Sequence, residues 1–393
     1  MTDATRAFDG VHRRNLSKVL RLVHADGALP RSRITEATGL NRSTVASLVG
    51  ELVDLQLVVE RPPDPTRRVG RPSPIVDVDL RTVVVAVNPE VDAVTFGVVA
   101  LGGRVVHRER VEMDHIVSPE ETAELVNATI GRWAEGELAG CRVVAIGLAV
   151  PGIVRADDGL VRWAPHLEWS QAPLRALVEE ATHLPASVGN DASLGALAEH
   201  LFGAGRGVDD IVYLNGGASG IGGGIIIGGA SVGGAGGYAG EFGQNRPGIG
   251  SLEDRRAGDG VLEDEVSRAR LLEAVGLAKA DEPTLAGALA ASPRPEVAEE
   301  LARQRRILAT ALGNAINVLN PSLVILGGFL ATIASSDQAE LERAVAAQTV
   351  PTIFEGTRIV VARLGEDRLL IGAGELALAR LLDDPESVLS TPP

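Results

Sequence analysis

After residue 80, short runs of apolar residues alternate with helical patterns, and this alternation constrains the fold more than any other feature of the sequence. The runs at 83–87, 94–99 and 143–150 have the length and apolar character of strands, and residues 104–111 alternate in polarity as a further strand. Between them, residues 119–133 carry a helical pattern. A strand meander, a helix and a buried strand together predict an α/β fold.

The same type of unit recurs in the second half of the chain. Strands are predicted at 211–214, 224–227 and 324–326, with long helices around 262–275 and 297–319. We therefore predict two related α/β lobes with a cleft between them. Ligands of such sheets bind beyond the strand ends, so the cleft is the predicted ligand site.

Residues 211–240 carry no charge, which would suit a membrane span, but 13 of these 30 residues are glycine. That glycine content favours loops and tight turns, so no membrane partner is predicted. Charged residues interrupt the first twenty positions, which argues against a secretion signal. The single cysteine, Cys141, permits no internal disulfide, and a cytoplasmic location is expected.

The first 75 residues are basic, whereas the rest of the chain is acidic. They hold 12 Lys+Arg against 8 Asp+Glu, net +4, and the remaining residues hold 25 against 44, net −19. A basic head on an acidic body suggests that only the head meets a polyanion such as DNA.

The pattern of the head predicts a helix-turn-helix. A first helix is indicated at residues 15–23 by apolar residues at i, i+3, i+4 and i+7, and a short segment containing Ile34 ends at Gly39. Asn41 is the predicted N-cap of a third helix. Four polar residues point away from that helix's apolar stripe near its N-terminus and are the candidate base-reading residues: Arg42, Ser43, Thr44 and Ser47.

Two strands, at 57–59 and 75–78, predict a wing behind this helix. The turn between them carries three arginines that are candidate DNA contacts: Arg67, Arg68 and Arg71. The tripeptide Gly70-Arg71-Pro72 is narrow and cationic enough to enter a minor groove. Residues 1–80 are thus predicted to form a winged helix-turn-helix domain and residues 81–393 the effector domain. A small helical subdomain that docks on a partner protein is the alternative for the head.

Several sequence blocks of the body resemble the ROK family of sugar kinases and repressors. They stand in the family's order and span nearly the whole chain: residues 147–154 (Gly-Leu-Ala-Val-Pro-Gly-Ile-Val), Asn190-Asp191-Ala192 with Ala198-Glu199, residues 220–224 (Gly-Ile-Gly-Gly-Gly), residues 239–243 (Ala-Gly-Glu-Phe-Gly), and Asn320-Pro321 leading to Gly327-Gly328. The resemblance implies the two-lobed actin-like, ribonuclease H-like ATPase fold. It also implies a winged helix in the repressor branch.

The resemblance further implies a set of sugar-binding residues. Asn190 and Asp191 occupy the place of the kinases' sugar-binding pair, in which the Asp is the base, so that Asp191 is a vestigial base here. Glu241 is expected to accept hydrogen bonds from further sugar hydroxyls. Gln244 stands where the family has a zinc-binding His, and Glu253 is taken as the counterpart of a second family glutamate.

Two departures from the family argue against catalysis. The family's glycine-rich phosphate turn is replaced by Asn88-Pro89-Glu90-Val91-Asp92-Ala93. The proline lacks an N–H donor, and the two acidic residues put negative charge where phosphate would lie. ATP is therefore not expected to bind. The zinc cysteines are missing from residues 245–250, so neither zinc nor another metal is expected.

These observations predict a transcriptional regulator, a repressor of carbohydrate-metabolism genes, that binds operator DNA and a sugar or sugar derivative. A homodimer or higher homo-oligomer is expected because helix-turn-helix proteins commonly read two half-sites. The first alternative is an active sugar kinase with an appended DNA-binding domain, and the second is a regulator that responds to a protein partner.

Overall fold

The computed structural model describes residues 3–62, 73–248, 252–257 and 260–386, with side chains described from Gly10 onward. The α-helices in this part are α1 (Asp3–Asp26), α2 (Arg31–Thr38), α3 (Arg42–Asp54), α4 (Pro119–Trp133), α5 (Leu174–Thr182), α6 (Asp191–Phe202), α7 (Leu262–Glu265), α8 (Arg268–Val275), α9 (Glu282–Ala291), α10 (Pro295–Leu319), α11 (Phe329–Ser336), α12 (Gln338–Ala346), α13 (Pro351–Phe354) and α14 (Arg368–Asp383).

The strands in the same ranges are β1 (Leu29–Pro30), β2 (Val58–Arg61), β3 (Ile75–Val78), β4 (Thr82–Pro89), β5 (Ala93–Ala100), β6 (Arg104–Glu112), β7 (Arg142–Val150), β8 (Ile153–Val154), β9 (Val161–Ala164), β10 (Trp169–Ala172), β11 (Ala186–Asn190), β12 (Ile211–Gly217), β13 (Gly220–Ile227), β14 (Ala230–Ser231), β15 (Leu323–Gly328) and β16 (Arg358–Val361).

Two five-stranded sheets with matching layouts form the two lobes. The first lobe has the order β11-β7-β4-β5-β6 and the second has β14-β13-β12-β15-β16. In each sheet three strands are antiparallel neighbours and two further strands add in parallel at one side. The prediction of two related α/β lobes is therefore confirmed.

Helices α6 and α14 lie between the lobes and cross in close contact. A Cβ added at Gly372 of α14 would lie 2.3 Å from the carbonyl oxygen of Leu194 in α6, so only glycine permits this approach. Helix α14 packs on the first lobe, where a Cβ at Gly147 of β7 would lie 1.9 Å from the Ala373 carbonyl oxygen. Helix α6 packs on strands β12 and β13 of the second lobe.

The glycines of β13 permit that contact with α6. Added Cβ atoms at Gly222 and Gly224 would lie 2.7 Å from the Cβ of Ala192 and 2.5 Å from the Cβ of Ala196. Strand β13 includes the predicted strand 224–227, and the expectation that the glycines mark loops and turns is wrong for 220–223, which belong to the same strand. No helix in the described ranges is long and apolar enough to cross a membrane.

The head consists of α1–α3 and the three-stranded sheet β1-β3-β2; its sequence pattern predicts the three helices and the two wing strands, but not β1. Helix α1 extends over Asp3–Asp26, well beyond the predicted 15–23. The head does not have a core of its own, because its apolar side chains continue into those of the first lobe, α14 and β4: Leu16, Val19, Leu20, Val23, Leu48, Leu52, Val84, Leu370, Leu378 and Leu381. The division into domains at residue 80 stays a prediction.

One predicted helix of the second lobe is broken. Residues 262–275 form α7 and α8, with the break at Val266 and Ser267. The cause is a contact that is distant in sequence: the side chain of Gln304 accepts a hydrogen bond from the Ser267 N–H (3.1 Å) and donates one to the Ser267 carbonyl oxygen (3.1 Å). These bonds satisfy the backbone groups of Ser267 outside a helix.

Candidate functional site

A cavity lies between the two lobes, at the carboxyl ends of β4, β7, β11 and β12. Four of the five predicted sugar-binding residues line it: Asn190, Asp191, Glu241 and Gln244. Two other groups that sequence reasoning did not single out also line it, Glu263 and Arg368. The cavity therefore gathers carboxylates, amides and a guanidinium, which suits a ligand that carries several hydroxyls.

Asn190 and Asp191 stand where the chain leaves β11 and enters α6. The Asn190 side-chain oxygen caps α6 by accepting a hydrogen bond from the Ser193 N–H (2.9 Å), and its amide donates to the Gly152 carbonyl oxygen (3.0 Å). Asp191 Oδ1 accepts from the Ala192 N–H (2.7 Å). These bonds fix both side chains at the base of the cavity before any ligand arrives.

Burial raises the pKa of Asp191 to about 6, and the nearby negative charge of Glu241 adds to the rise. The Ala192 N–H and the charge of Arg368 oppose it. Burial likewise raises the pKa of Glu241, with a further contribution from the charge of Glu263. The three carboxyl groups thus lie close enough to repel one another, and hydroxyl donors would relieve that repulsion.

Glu241 and Gln244 are presented by the short 3-10 turn Phe242–Gln244. This turn lies against β13, since a Cβ at Gly243 would be 2.2 Å from the Ile221 carbonyl oxygen. Gln244 Nε2 donates to Glu263 Oε1 (2.5 Å), and Glu263 Oε2 accepts from the Ile221 N–H (3.1 Å). Gln244 and Glu263 therefore hold each other in place at the wall of the cavity.

The structure does not bring Glu253 into the cavity with the other predicted residues. Its carbonyl oxygen accepts a hydrogen bond from the Arg256 guanidinium on a turn outside the lining, Leu252–Asp254. Glu263 lies in the cavity instead. Both glutamates end a Gly-x-Leu-Glu sequence, at 250–253 and 260–263, and the second belongs to helix α7, in which Leu262 is buried. The local sequence is the same in both places, so it carries no signal that distinguishes the two glutamates.

The connection between β4 and β5 is residues 90–92, shorter than the predicted turn at 88–93, and Glu90 and Asp92 line the cavity. Their charges are paired, because Arg110 of β6 forms ion pairs with Glu90 (2.6 Å), Asp92 (3.0 Å) and Glu112 (2.9 Å). Burial raises the pKa of Glu90, and Arg110 opposes that rise. At this end of the cavity the guanidinium of Arg110 is thus already paired with the carboxylates of Glu90 and Asp92.

Arg368, the first residue of α14, is almost fully buried in the cavity wall. Its guanidinium donates to Asn215 Oδ1 (2.9 Å), the Gly365 carbonyl oxygen (2.6 Å) and Glu282 (2.6 and 3.1 Å). The arginine is followed by a long apolar helix and stands in no motif, so the sequence carries no signal for its role.

The exposed face of α3 presents three of the four predicted base-reading residues, Arg42, Ser43 and Ser47, while Thr44 is half-buried. Asn41 caps the helix by accepting from the Thr44 N–H (2.9 Å), as predicted, and Ser43 Oγ donates to the same Asn41 oxygen (2.7 Å). The predicted contacts Arg67, Arg68 and Arg71 lie outside the described residues. At the base of the wing, Arg61 pairs with Asp77 (2.5 Å).

Comparison with known proteins assigns the chain to a family. Residues 84–380 match the model of the ROK family. The chain belongs to the ROK family. The xylose repressor of Caldicellulosiruptor bescii is 26% identical over 94% of this chain and 96% of its own length, and the glucokinase of Halalkalibacterium halodurans is 30% identical over 65% and 82%.

Solved structures of the ROK family share the fold. A ROK family transcriptional regulator, a homolog of the E. coli MLC protein, superposes with a TM-score of 0.74 at 22% identity, over 97% of this chain and 100% of its own. A ROK family glucokinase from Streptomyces griseus, in complex with glucose and AMPPNP, gives a TM-score of 0.61 at 24% identity, over 76% and 99%. The regulator thus aligns through the head, whereas the kinases align with the body.

This ROK chain lacks the ligands of the family's zinc position. Gln244 replaces the histidine, and no cysteine lies between residues 245 and 260. A donor set of one amide and one carboxylate does not suit zinc, which favours thiolate and imidazole ligands. Within the described ranges, one group of three metal-compatible side chains, His12, Glu51 and Glu386, lies in and beside the head, away from the cavity.

Proposed function

We propose that this chain is a DNA-binding transcriptional repressor whose DNA affinity is controlled by a sugar bound in the cavity between the lobes. The observation that carries the proposal is the match to named xylose repressors over 94% of the chain, which includes the head. The glucokinase relatives match only the body, over about two thirds of the chain. The proposal places the protein in the cytoplasm, where the operator lies.

In this proposal five side chains hold the sugar by its hydroxyls: Asn190, Asp191, Glu241, Gln244 and Glu263. Glu263 takes the role that the sequence suggested for Glu253, since it lies in the cavity beside Gln244. Each ionised carboxylate accepts two hydroxyl donors at once, which fixes the orientation of a polyol ring. The named relatives make D-xylose and D-glucose the first sugars to test.

The head in this proposal reads operator DNA through α3 and the wing. Arg42, Ser43, Thr44 and Ser47 reach base edges in the major groove, and Arg67, Arg68 and Arg71 contact the backbone or minor groove. A homodimer supplies two recognition helices for two half-sites. The basic head against an acidic body keeps DNA at the head.

The experiment measures the affinity of the full-length protein for a duplex that the protein itself selects from a randomised pool. Binding is measured by fluorescence anisotropy with and without D-xylose, D-glucose and a panel of other sugars and sugar phosphates at fixed ionic strength. We expect one sugar to change the Kd for DNA by about 5- to 150-fold, the usual range of allosteric coupling. An unchanged Kd across the panel would refute control by a sugar.

A sugar kinase is the second candidate, favoured by one observation. Asp191 has a pKa of about 6, which suits a general base near neutral pH. A second observation opposes kinase activity. At the end of the cavity where the family's kinases hold phosphate, Arg110 is paired with Glu90 and Asp92. We propose that the chain does not transfer phosphate, and a coupled ATPase assay that shows sugar-dependent turnover would contradict this.

Control by a protein partner instead of a sugar predicts a different result for Asp191→Ala. If the sugar acts through the cavity, the variant loses the sugar response and keeps DNA binding. If a protein partner acts elsewhere, regulation by that partner is unchanged in the variant.

A further inference from the structure

Helices α6 and α14 both begin at the cavity and both run to the head. Asp191 begins α6 and Phe202 ends it, eleven residues later, which is about 16 Å at a rise of about 1.5 Å per residue. Arg368 begins α14, and Glu375 lies seven residues or about 10 Å further along it. Because α6 packs on the second lobe and α14 on the first, the positions of Phe202 and Glu375 depend on how the two lobes lie relative to each other.

His24, near the end of α1, contacts both of these helices at once. Its Nε2 donates to both carboxylate oxygens of Glu375 in α14, each at 3.0 Å. Its ring lies edge-on to the ring of Phe202 in α6, with centroids 5.4 Å apart and planes at 73°. His24 and Glu375 are 4% and 6% exposed, so this junction is shielded from water.

A third contact fixes the orientation of the His24 ring. The Gly102 N–H, in the turn between β5 and β6, donates to His24 Nδ1 at 2.9 Å. A backbone N–H only donates, so Nδ1 accepts and the proton sits on Nε2, facing Glu375. Phe202 packs on the same turn, since a Cβ at Gly103 would lie 2.6 Å from its ring. The ring of His24 therefore has one orientation that satisfies all three neighbours.

Further contacts tie α1 to α14 along its length, so a movement at His24 is carried to the whole head. Ser17 Oγ donates to the Leu382 carbonyl oxygen (2.6 Å), and Arg21 pairs with Asp383 (2.5 Å). Apolar side chains of α1, α3, α14 and the first lobe form one continuous core. A close-packed core of this kind moves as a unit and does not deform gradually.

We propose that His24 is the positioning residue that transmits the state of the cavity to the DNA-binding head. A sugar bound between the lobes changes the position of α6 relative to α14, and this displaces Phe202 relative to Glu375. The bonds and the ring contact of His24 are satisfied in one relative position only, so α1 and the attached α3 shift with the lobes. This inference rests on the proposed sugar control and names its route.

The test measures two quantities for each full-length variant, with the sugar of the panel that changes the wild-type Kd for DNA most. Isothermal titration calorimetry gives the Kd for the sugar, and anisotropy gives the ratio of the Kd values for the selected duplex with and without it. Glu375→Ala and Phe202→Leu each break one side of the junction, and the second keeps an apolar side chain so that the fold is preserved. Both are expected to bind sugar within about twofold of wild type while the ratio falls to less than twofold.

Two matched controls separate a specific route from general weakening. Glu375→Gln keeps an oxygen that accepts from His24 Nε2, and it is expected to retain at least half of the wild-type ratio. Thr82→Val removes the bond from Thr82 Oγ1 to the Gln56 carbonyl oxygen, a contact of head and body away from α6 and α14, together with the bond that the hydroxyl accepts from Arg142 within the body. It should retain the ratio as well.

The outcomes separate this inference from the proposed function. A wild-type ratio in both Glu375→Ala and Phe202→Leu, with sugar binding intact, overturns the route through His24 and leaves sugar control standing. An equal fall of the Kd ratio in Thr82→Val also overturns this route. In that case any weakening of the contact between head and body would uncouple the head from the sugar. Absence of an effect of every sugar in the panel on the wild type refutes the proposed function and, with it, this inference.

Discussion

Replacement of Asp191 by asparagine should stabilise the ligand-free protein while it weakens sugar binding. The folded state raises the pKa of this carboxyl from its ordinary 3.8 to about 6, mainly because the charge is buried. Above pH 6 the folded protein holds a desolvated charge that the unfolded chain keeps in water. Asparagine retains an oxygen for the Ala192 N–H and carries no charge, so it removes this cost.

The magnitude follows from linkage. The pKa of Asp191 is about 6 in the folded state against 3.8 in the unfolded state. At about 1.4 kcal/mol per pKa unit, this difference lowers the free energy of unfolding of the wild type by about 3 kcal/mol at pH 7.5. Between pH 6 and 3.8 the folded state binds a proton that the unfolded state does not, so the stability of the wild type rises as pH falls. At pH 5 the cost is about 1.6 kcal/mol, and the advantage of Asp191→Asn shrinks accordingly.

The assay is a series of urea unfolding curves for wild type and variant from pH 7.5 to 5, without sugar. Asp158→Asn is the control, because the pKa of Asp158 is lowered by its hydrogen bond to Arg155. Loss of this carboxylate should therefore not stabilise the protein at pH 7.5. Sugar affinity of Asp191→Asn should fall by about 10- to 150-fold, the value of a hydrogen bond to a charged group. A variant no more stable than wild type at pH 7.5, or a gain that does not change with pH, would refute this reasoning.

Three other perturbations give sharp expectations. Glu263→Gln should weaken sugar binding by calorimetry at least tenfold, whereas Glu253→Gln, on a turn outside the cavity, should leave it within twofold; equal losses would mean that the cavity is not the site. Arg42→Ala should cost about 1–3 kcal/mol at one base position of the selected duplex, and an equal loss on every duplex would reassign it to phosphate. In helix α10, Arg303→Met leaves the fully buried Glu265 without its cation and should lower the free energy of unfolding in urea by about 3–5 kcal/mol. The control Arg306→Met breaks an exposed pair with Asp254 and should lower it by about 0–1 kcal/mol. Similar losses in the two variants would contradict the argument from burial.

The elements that the sequence predicts well are those with local causes. Helix α4 has the predicted bounds because Ser118 caps it and Pro119 starts it. Asn41 caps α3 by its own side chain. The pair Asn190-Asp191 is expected to bind sugar from the family resemblance, and the structure has it where β11 ends and α6 begins, at the edge of the sheet where ligands bind.

The features that the sequence does not predict depend on contacts between distant residues. Gln304 breaks the helix predicted at 262–275, although it lies 37 residues from Ser267. Arg110 neutralises Glu90 from a neighbouring strand, and Arg368 enters the cavity from the start of the last helix. The sequence could not choose between Glu253 and Glu263, because both follow the same local pattern and only the fold brings Glu263 into the cavity.

The central claim is that the sugar cavity and the DNA-binding head are thermodynamically coupled, and the reciprocal titration tests it most directly. Coupling requires that DNA change the affinity for sugar by the same factor by which sugar changes the affinity for DNA. The measurement is calorimetric titration of full-length protein with the effective sugar, with and without a saturating amount of the selected duplex. We predict two sugar Kd values that differ by the factor seen in DNA binding, and identical values would contradict the account.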